Sequence, residues 1–144
     1  MKYQVGNTGR VMVARFEDKE DILENIIHIA QKENIRSAFF SLIGGIKQGR
    51  VVVGPEKEEM PPQPIWRDIQ ESHELLGLGT IFWQKDEPKI HFHGAYGKRD
   101  MIKMGCLRGK SETFLVLEAI IIEIQGVDAQ RELDPVSGLT LLRL

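Results

Sequence analysis

The chain has 144 residues, of which 42% are hydrophobic and 28% charged, a composition that predicts one globular domain over residues 1–144. Its net charge of −2 argues against a nucleic-acid-binding protein that relies on overall positive charge. Its single cysteine excludes an internal disulfide, as expected in a reducing cytoplasm. The sequence has neither an apolar run of about 18 residues nor a signal-peptide core, so we expect a cytoplasmic protein without a membrane segment.

The N-terminal part of the sequence predicts a strand and then the main helix. Residues 10–16 have strand character. Over residues 19–33, apolar side chains recur at spacings of three and four, which predicts an amphipathic helix with one apolar stripe. Asp18 is the predicted N-cap, and Asp21 follows in the first turn.

Glycines and prolines divide the middle of the sequence. Residues 37–43 predict a buried strand that ends in a turn at Gly44 and Gly45, before a second strand at 49–53. Four of the six prolines fall within residues 55–64, which therefore predict a surface loop.

Strands dominate the rest of the chain. Residues 75–83 predict a strand whose glycines, at 77 and 79, indicate a bulge or a close approach of the backbone. Residues 89–96 and 103–108 predict two strands joined by a turn, and 113–125 predict a long Ile-rich strand. One helix and about seven strands, linked mostly by short turns, predict an α+β domain with a largely antiparallel sheet and the main helix packed on one face.

A candidate metal site lies in the predicted hairpin. His91 and His93 are two residues apart in a strand, so their side chains point to the same face. If the hairpin turns tightly at Lys98 and Arg99, His91 lies opposite Cys106, and His93 lies opposite a methionine. Opposed Cβ atoms in such a pair are about 4.5–5.5 Å apart, which lets imidazole and thiolate converge on one ion.

This ligand set predicts a zinc-like ion. Two imidazoles and a thiolate leave a fourth coordination position for water or a neighbouring group, whereas the thiolate disfavours magnesium and calcium. The alternative interpretation is a half-buried strand whose polar side chains, His91 and His93, face outward. Cys106 as a nucleophile with a histidine base is a further alternative, which fits these residues less well than metal binding.

Two other polar residues stand near apolar segments. His73 begins the strand before the hairpin and is either a further ligand or, as we favour, a solvated strand-end histidine. Glu118 interrupts the long apolar strand, where a buried carboxylate would need a partner. It either accepts a hydrogen bond from a ligand histidine or, as we favour, marks a sheet face that reaches water or a subunit interface.

The long strand also predicts an oligomer. Its alternate side chains are apolar on both faces, and one helix covers only one face of a sheet. A neighbouring subunit is the expected cover for the other face, although composition does not choose between a dimer and a trimer.

The chain resembles the plants-and-prokaryotes conserved (PPC) domain over nearly its whole length. The central landmark is His91-Phe92-His93-Gly94, followed by Gly105-Cys106-Leu107-Arg108-Gly109. The other landmarks, in order along the chain, are residues 20–23, 35–37, 44–46, 74–81, 131–135 and 138–139.

The resemblance implies a homotrimer with an α+β fold. Prokaryotic members with the two-histidine motif usually carry a third histidine after a glycine on the next strand, and this triad looks like a metal site. Cys106 occupies that third position here, which keeps a metal ligand but makes the site softer. Plant members join the domain to AT-hook segments that bind DNA, and this sequence has no such Arg-Gly-Arg-Pro hook.

Two functions are consistent with the sequence. The first is a trimeric zinc-binding protein whose site handles a small molecule, by metal-assisted chemistry such as hydrolysis. The second is a non-catalytic interaction module, a regulator that works with DNA or with a DNA-bound partner. An open coordination position in a water-accessible pocket favours the first, and a closed site or none favours the second. Direct binding to DNA is not expected, given the net charge and the missing hook.

Overall fold

The computed structural model describes residues 1–144 as one helix and eight strands. In chain order the elements are β1 (Asn7–Glu17), α1 (Ile22–Lys32), β2 (Ser37–Pro55), β3 (Pro64–Ile69), β4 (His73–Gln84), β5 (Glu87–Lys98), β6 (Met101–Gln125), β7 (Gln130–Leu133) and β8 (Thr140–Arg143). The antiparallel α+β prediction is confirmed, with six strands in the main sheet and a separate pair, β7 and β8.

The main sheet closes on itself. Its strand order is β1-β6-β5-β4-β2-β3, and an additional pairing joins β6 to β2. The strands β2, β4, β5 and β6 therefore form a ring in which every pairing is antiparallel. The inner side of this ring and one side of α1 supply the hydrophobic core, where Ile22 and Ile26 of the helix are fully buried with Phe40 and Leu117 of the sheet.

The predicted turn at Gly44 and Gly45 is wrong, because β2 continues through both residues. The glycines instead mark a register shift between β2 and β6. Gly44 has a φ of +147°, and an added Cβ would collide with the backbone of Val116 and Leu117. Residues 103–108 and 113–125 likewise form one strand, β6, and β3 begins at the end of the predicted proline-rich loop.

The helix is shorter than predicted and has a different cap. Asp21 is the N-cap, and its carboxylate accepts a hydrogen bond from the Glu24 N–H at 2.9 Å. Asp18 instead accepts from the N–H of Leu115 on β6, also at 2.9 Å. Lys19 has a φ of 72°, which is incompatible with a helix that starts there.

The glycines of β4 provide space for two aromatic rings. A Cβ at Gly79 would overlap the ring of Phe40, and one at Gly77 would overlap the ring of Phe92. These two rings stack, with their centroids 5.7 Å apart. The pairing of β4 with β2 and β5 shows no register shift, so the predicted bulge is absent. A backbone atom, the carbonyl oxygen of His93, approaches closely only at Gly77, whereas at Gly79 the close approach is that of an aromatic side chain.

Gly79→Ala should therefore destabilise the fold by about 1–3 kcal/mol, because the new methyl group has no space beside Phe40. Gly97→Ala is the matched control, since nothing lies within 4 Å of its added Cβ. The midpoints of urea unfolding measure the difference. Equal midpoints for the two variants would contradict the packing argument.

The second side of the sheet, which we call the outer face, carries exposed apolar side chains. Strand register places Val13, Ile120, Ser41, Leu78 and His93 in one row across five strands. The large side chains that are at least half exposed on this face include Val11 (60%), Val13 (79%), Ile43 (54%), Leu76 (61%), Leu78 (56%) and Met104 (67%). Glu118 is also exposed there.

The structure contains no helix with the length and apolar composition needed to cross a bilayer.

Candidate metal centre

The alternation of β5 places two histidines on the outer face. Phe92, between them, is 1% exposed and packs in the core, so His91 and His93 must point the other way. On the neighbouring strand β4, the opposed residues are Thr80 for His91 and Leu78 for His93. Both histidines are exposed.

The hairpin register differs from the prediction by two residues. Cys106 lies opposite His93 rather than His91, and the turn falls at Arg99 and Asp100 because Lys98 pairs with Met101. A shift of two residues keeps every side chain on its original face. The three predicted ligands therefore still meet, although the pairing that was expected to bring them together is wrong.

The three side chains form a compact donor set. The Nε2 atoms of His91 and His93 are 3.0 Å apart, and the rings lie edge to face with centroids 4.9 Å apart. The two imidazole nitrogens and Cys106 Sγ all lie within 4.8 Å of one another. Tetrahedral zinc, with bonds of about 2.0–2.3 Å, separates its ligand atoms by roughly 3.3–3.6 Å. Side-chain rotations that move the donor atoms by about 1 Å would therefore suffice for coordination.

The electrostatic surroundings of His91 favour its neutral form. Partial desolvation by neighbouring groups lowers the pKa of His91 below its usual value, although the residue is exposed overall, and the charges of Arg131, His93 and Arg108 lower it further. A neutral imidazole offers the lone pair that a metal ion needs. His91 can therefore act as a ligand at pH values where an ordinary histidine is partly protonated.

Cys106 is more buried than either histidine, with 5% of its surface exposed. Burial raises the pKa of its thiol, whereas the charge of Arg108 and a backbone hydrogen bond involving Phe92 oppose this effect. The raised pKa favours the protonated thiol, which is a poorer nucleophile than the thiolate. Metal binding would displace its proton, which links affinity to pH.

The two other residues singled out from sequence are outside this cluster. His73 is 9% exposed, and its Nδ1 lies 2.6 Å from the backbone oxygen of Glu71, so the expectation of a solvated histidine is wrong. Glu118 lies on the outer face opposite Arg15 and Ile43. Its exposure agrees with a sheet face that reaches water or a subunit interface.

Sequence reasoning missed Arg131. This residue of β7 is 8% exposed, and its Nη2 donates a hydrogen bond to Thr80 Oγ1 at 3.1 Å. Thr80 is the residue opposite His91, so the guanidinium lies beside the histidine pair. The available signal was the closing motif at residues 131–135, one landmark of the family resemblance.

A family comparison covers the strands that build this centre. The sequence model of the Plants and Prokaryotes Conserved (PCC) domain matches residues 3–125. The chain belongs to this family. The PCC match includes all three candidate ligands and ends with β6, so Arg131 lies beyond it.

Solved structures share the fold of this PCC chain. A metal-containing protein of Archaeoglobus fulgidus is 21% identical, with a TM-score of 0.87 and 100% of both chains covered. A plant- and prokaryote-conserved protein of Pyrococcus horikoshii is 25% identical, with a TM-score of 0.86, covering 100% of this chain and 98% of its own. A candidate DNA-binding protein of Ralstonia eutropha is 21% identical, with a TM-score of 0.75, covering 92% of this chain and 90% of its own. No curated protein matches the chain.

Proposed function

We propose that this chain is a cytoplasmic, homotrimeric PCC protein of one domain that binds one zinc-like ion per chain through His91, His93 and Cys106. The observation that carries the proposal is the convergence of two imidazole nitrogens and one sulfur within 4.8 Å on the outer face. Three ligands of these types suit zinc and leave one coordination position for water or a small molecule. The metal-containing neighbour from Archaeoglobus fulgidus supports a metal site in this fold.

An open position next to exposed histidines favours chemistry over a purely structural ion. Structural zinc sites are usually closed by four protein ligands, whereas sites with three ligands can polarise a bound water or carbonyl. His91 and His93 are exposed, so a small molecule can approach from solvent. Metal-assisted chemistry on a small molecule is therefore the activity that we assign to the site.

Metal analysis of the purified protein tests this assignment. We expect one zinc ion per chain, and X-ray absorption should show two nitrogen neighbours, one sulfur neighbour and one further light atom. A protein that takes up no metal would overturn the proposal. A shell with four protein ligands would instead support the interaction module.

The trimer is proposed from the outer face. In this proposal α1 packs on the inner face, and a neighbouring subunit covers exposed residues such as Val13, Ile43 and Leu76. Register continues this apolar surface to Leu78, which lies opposite the ligand His93. A cyclic trimer would then place residues of one chain beside the metal centre of the next, with the fourth coordination position left open. The number three comes from the family resemblance.

The second candidate function is a non-catalytic interaction or regulatory module. The observation that favours it is the structural likeness to the candidate DNA-binding protein of Ralstonia eutropha. The net charge of −2 and the missing AT-hook weigh against direct contact with DNA. In this second candidate function, the chain would therefore bind a protein that is itself bound to DNA.

We expect no binding to short AT-rich duplexes tighter than about 10⁻⁶ M at physiological salt, because even non-specific binders reach only about 10⁻⁴–10⁻⁶ M there. Fluorescence anisotropy of a labelled duplex measures this affinity. The same titration at low salt is the control, since any residual electrostatic binding should appear there. Sub-micromolar binding at physiological salt would contradict the expectation.

A further inference from the structure

Arg131 is a buried cation without a carboxylate partner. Only 8% of its surface is exposed, and the hydrogen bond to Thr80 Oγ1 is the only one that its side chain makes within the chain. None of the ion pairs in the chain includes Arg131. A guanidinium carries five N–H donors, and burying it without an anion is costly. The site therefore lacks a negatively charged partner.

The position of Arg131 points to where that partner belongs. Thr80, its hydrogen-bond acceptor, lies directly opposite His91, and directly opposed residues have Cβ atoms about 4.5–5.5 Å apart. Arg108 follows Cys106 by two residues, so it is on the same face of β6. None of the ion pairs in the chain includes Arg108 either. Both arginines lie close enough to His91 for their charges to act on it, and the donor cluster contains no acidic side chain.

We infer that Arg131 binds the oxyanion group, phosphate or carboxylate, of a small molecule whose other end reaches the open coordination position beside His91 and His93. The inference rests on the proposed function and names the class of its ligand. A guanidinium holds such groups with two parallel N–H···O bonds, which fixes their orientation. Arg108, at the exposed edge, adds a second positive charge that attracts the anion.

The binding of two simple anions tests this inference. Inorganic phosphate and acetate, representing the two classes of oxyanion, are titrated separately into the zinc-loaded protein and followed by calorimetry. Arg131→Gln should weaken binding of the preferred anion by about tenfold or more, since a hydrogen-bonded charge is removed. Arg131→Lys keeps the positive charge but loses the planar guanidinium. Its affinity for the anion should therefore lie between that of the unaltered protein and that of Arg131→Gln. Arg36→Gln is the matched control, because Arg36 is exposed and packs over Trp83 instead.

Each outcome decides the inference. Saturable binding that weakens in Arg131→Gln and not in Arg36→Gln supports the inference. The anion that binds more tightly then shows whether the ligand carries a phosphate or a carboxylate. No saturable binding of either anion to the unaltered protein overturns it, as does equal affinity in Arg131→Gln. Dissociation of the oligomer in Arg131→Gln, together with no anion binding to the unaltered protein, also overturns it, because a carboxylate of a neighbouring subunit would then be the partner. Zinc content measured on the same samples reports separately on the proposed metal site.

Discussion

Replacing His91 and His93 together with alanine should reduce the zinc content from one ion per chain to background. Cys106 would then be the one remaining member of the donor set, and a single thiolate binds zinc too weakly to retain it during purification. Both histidines are exposed, so their truncation leaves the core intact and the variant should fold. Inductively coupled plasma mass spectrometry on the purified variant measures the loss.

The control for this experiment is His28→Ala. His28 is an exposed residue of α1, so the substitution removes an imidazole without touching the proposed centre. It should keep one zinc ion per chain. Cys106→Ser should bind zinc more weakly than the unaltered protein, because a hydroxyl is a poorer zinc ligand than a thiolate. Full zinc occupancy in the double histidine variant would show that the ligands have been wrongly assigned.

The candidate centre was predictable because it depends on strand parity more than on register. His91, His93 and Cys106 share a face as long as the hairpin register changes by an even number of residues. The turn moved from Lys98 and Arg99 to Arg99 and Asp100, and the resulting shift of two residues kept that face. A shift of one residue would have turned Cys106 into the core.

The boundaries of the elements were less predictable, because tertiary contacts set them. Gly44 and Gly45 are typical turn residues in sequence, but in the structure they allow β2 to approach the backbone of β6. Lys19 lies in a segment of helix-forming composition, yet its positive φ prevents a helix there, and α1 begins only at Ile22, after the N-cap Asp21. Neither effect is visible in a local sequence window.

Arg131 illustrates a further limit of sequence reasoning. It reaches the candidate centre because β7 lies against β4, where the Arg131 side chain bonds to Thr80. No hydrophobic periodicity connects β7 to β5, so the closing motif at residues 131–135 marks Arg131 but does not predict this contact. The core helix, in contrast, was predictable from its apolar spacing, and Ile22, Ile26 and Ala30 are all fully buried.

The protein should have a mass in solution near three times that of the 16.4 kDa chain, and Leu76→Glu should lower it. Leu76 is 61% exposed in the single chain, so a charge there costs an isolated subunit little stability. In a buried interface the same charge would have to be desolvated without a partner, which costs several kcal/mol. Light scattering at micromolar concentration measures both masses.

Met60→Glu is the matched control, because Met60 is 70% exposed but lies in the segment between β2 and β3, outside the strands that form the outer face. It should leave the mass unchanged, whereas Leu76→Glu should give a mass near that of one chain. A mass near one chain for the unaltered protein would refute the argument from the exposed apolar face. A mass near two chains would refute only the number three, because a dimer also covers that face. A trimer that persists in Leu76→Glu would place the interface elsewhere on the molecule.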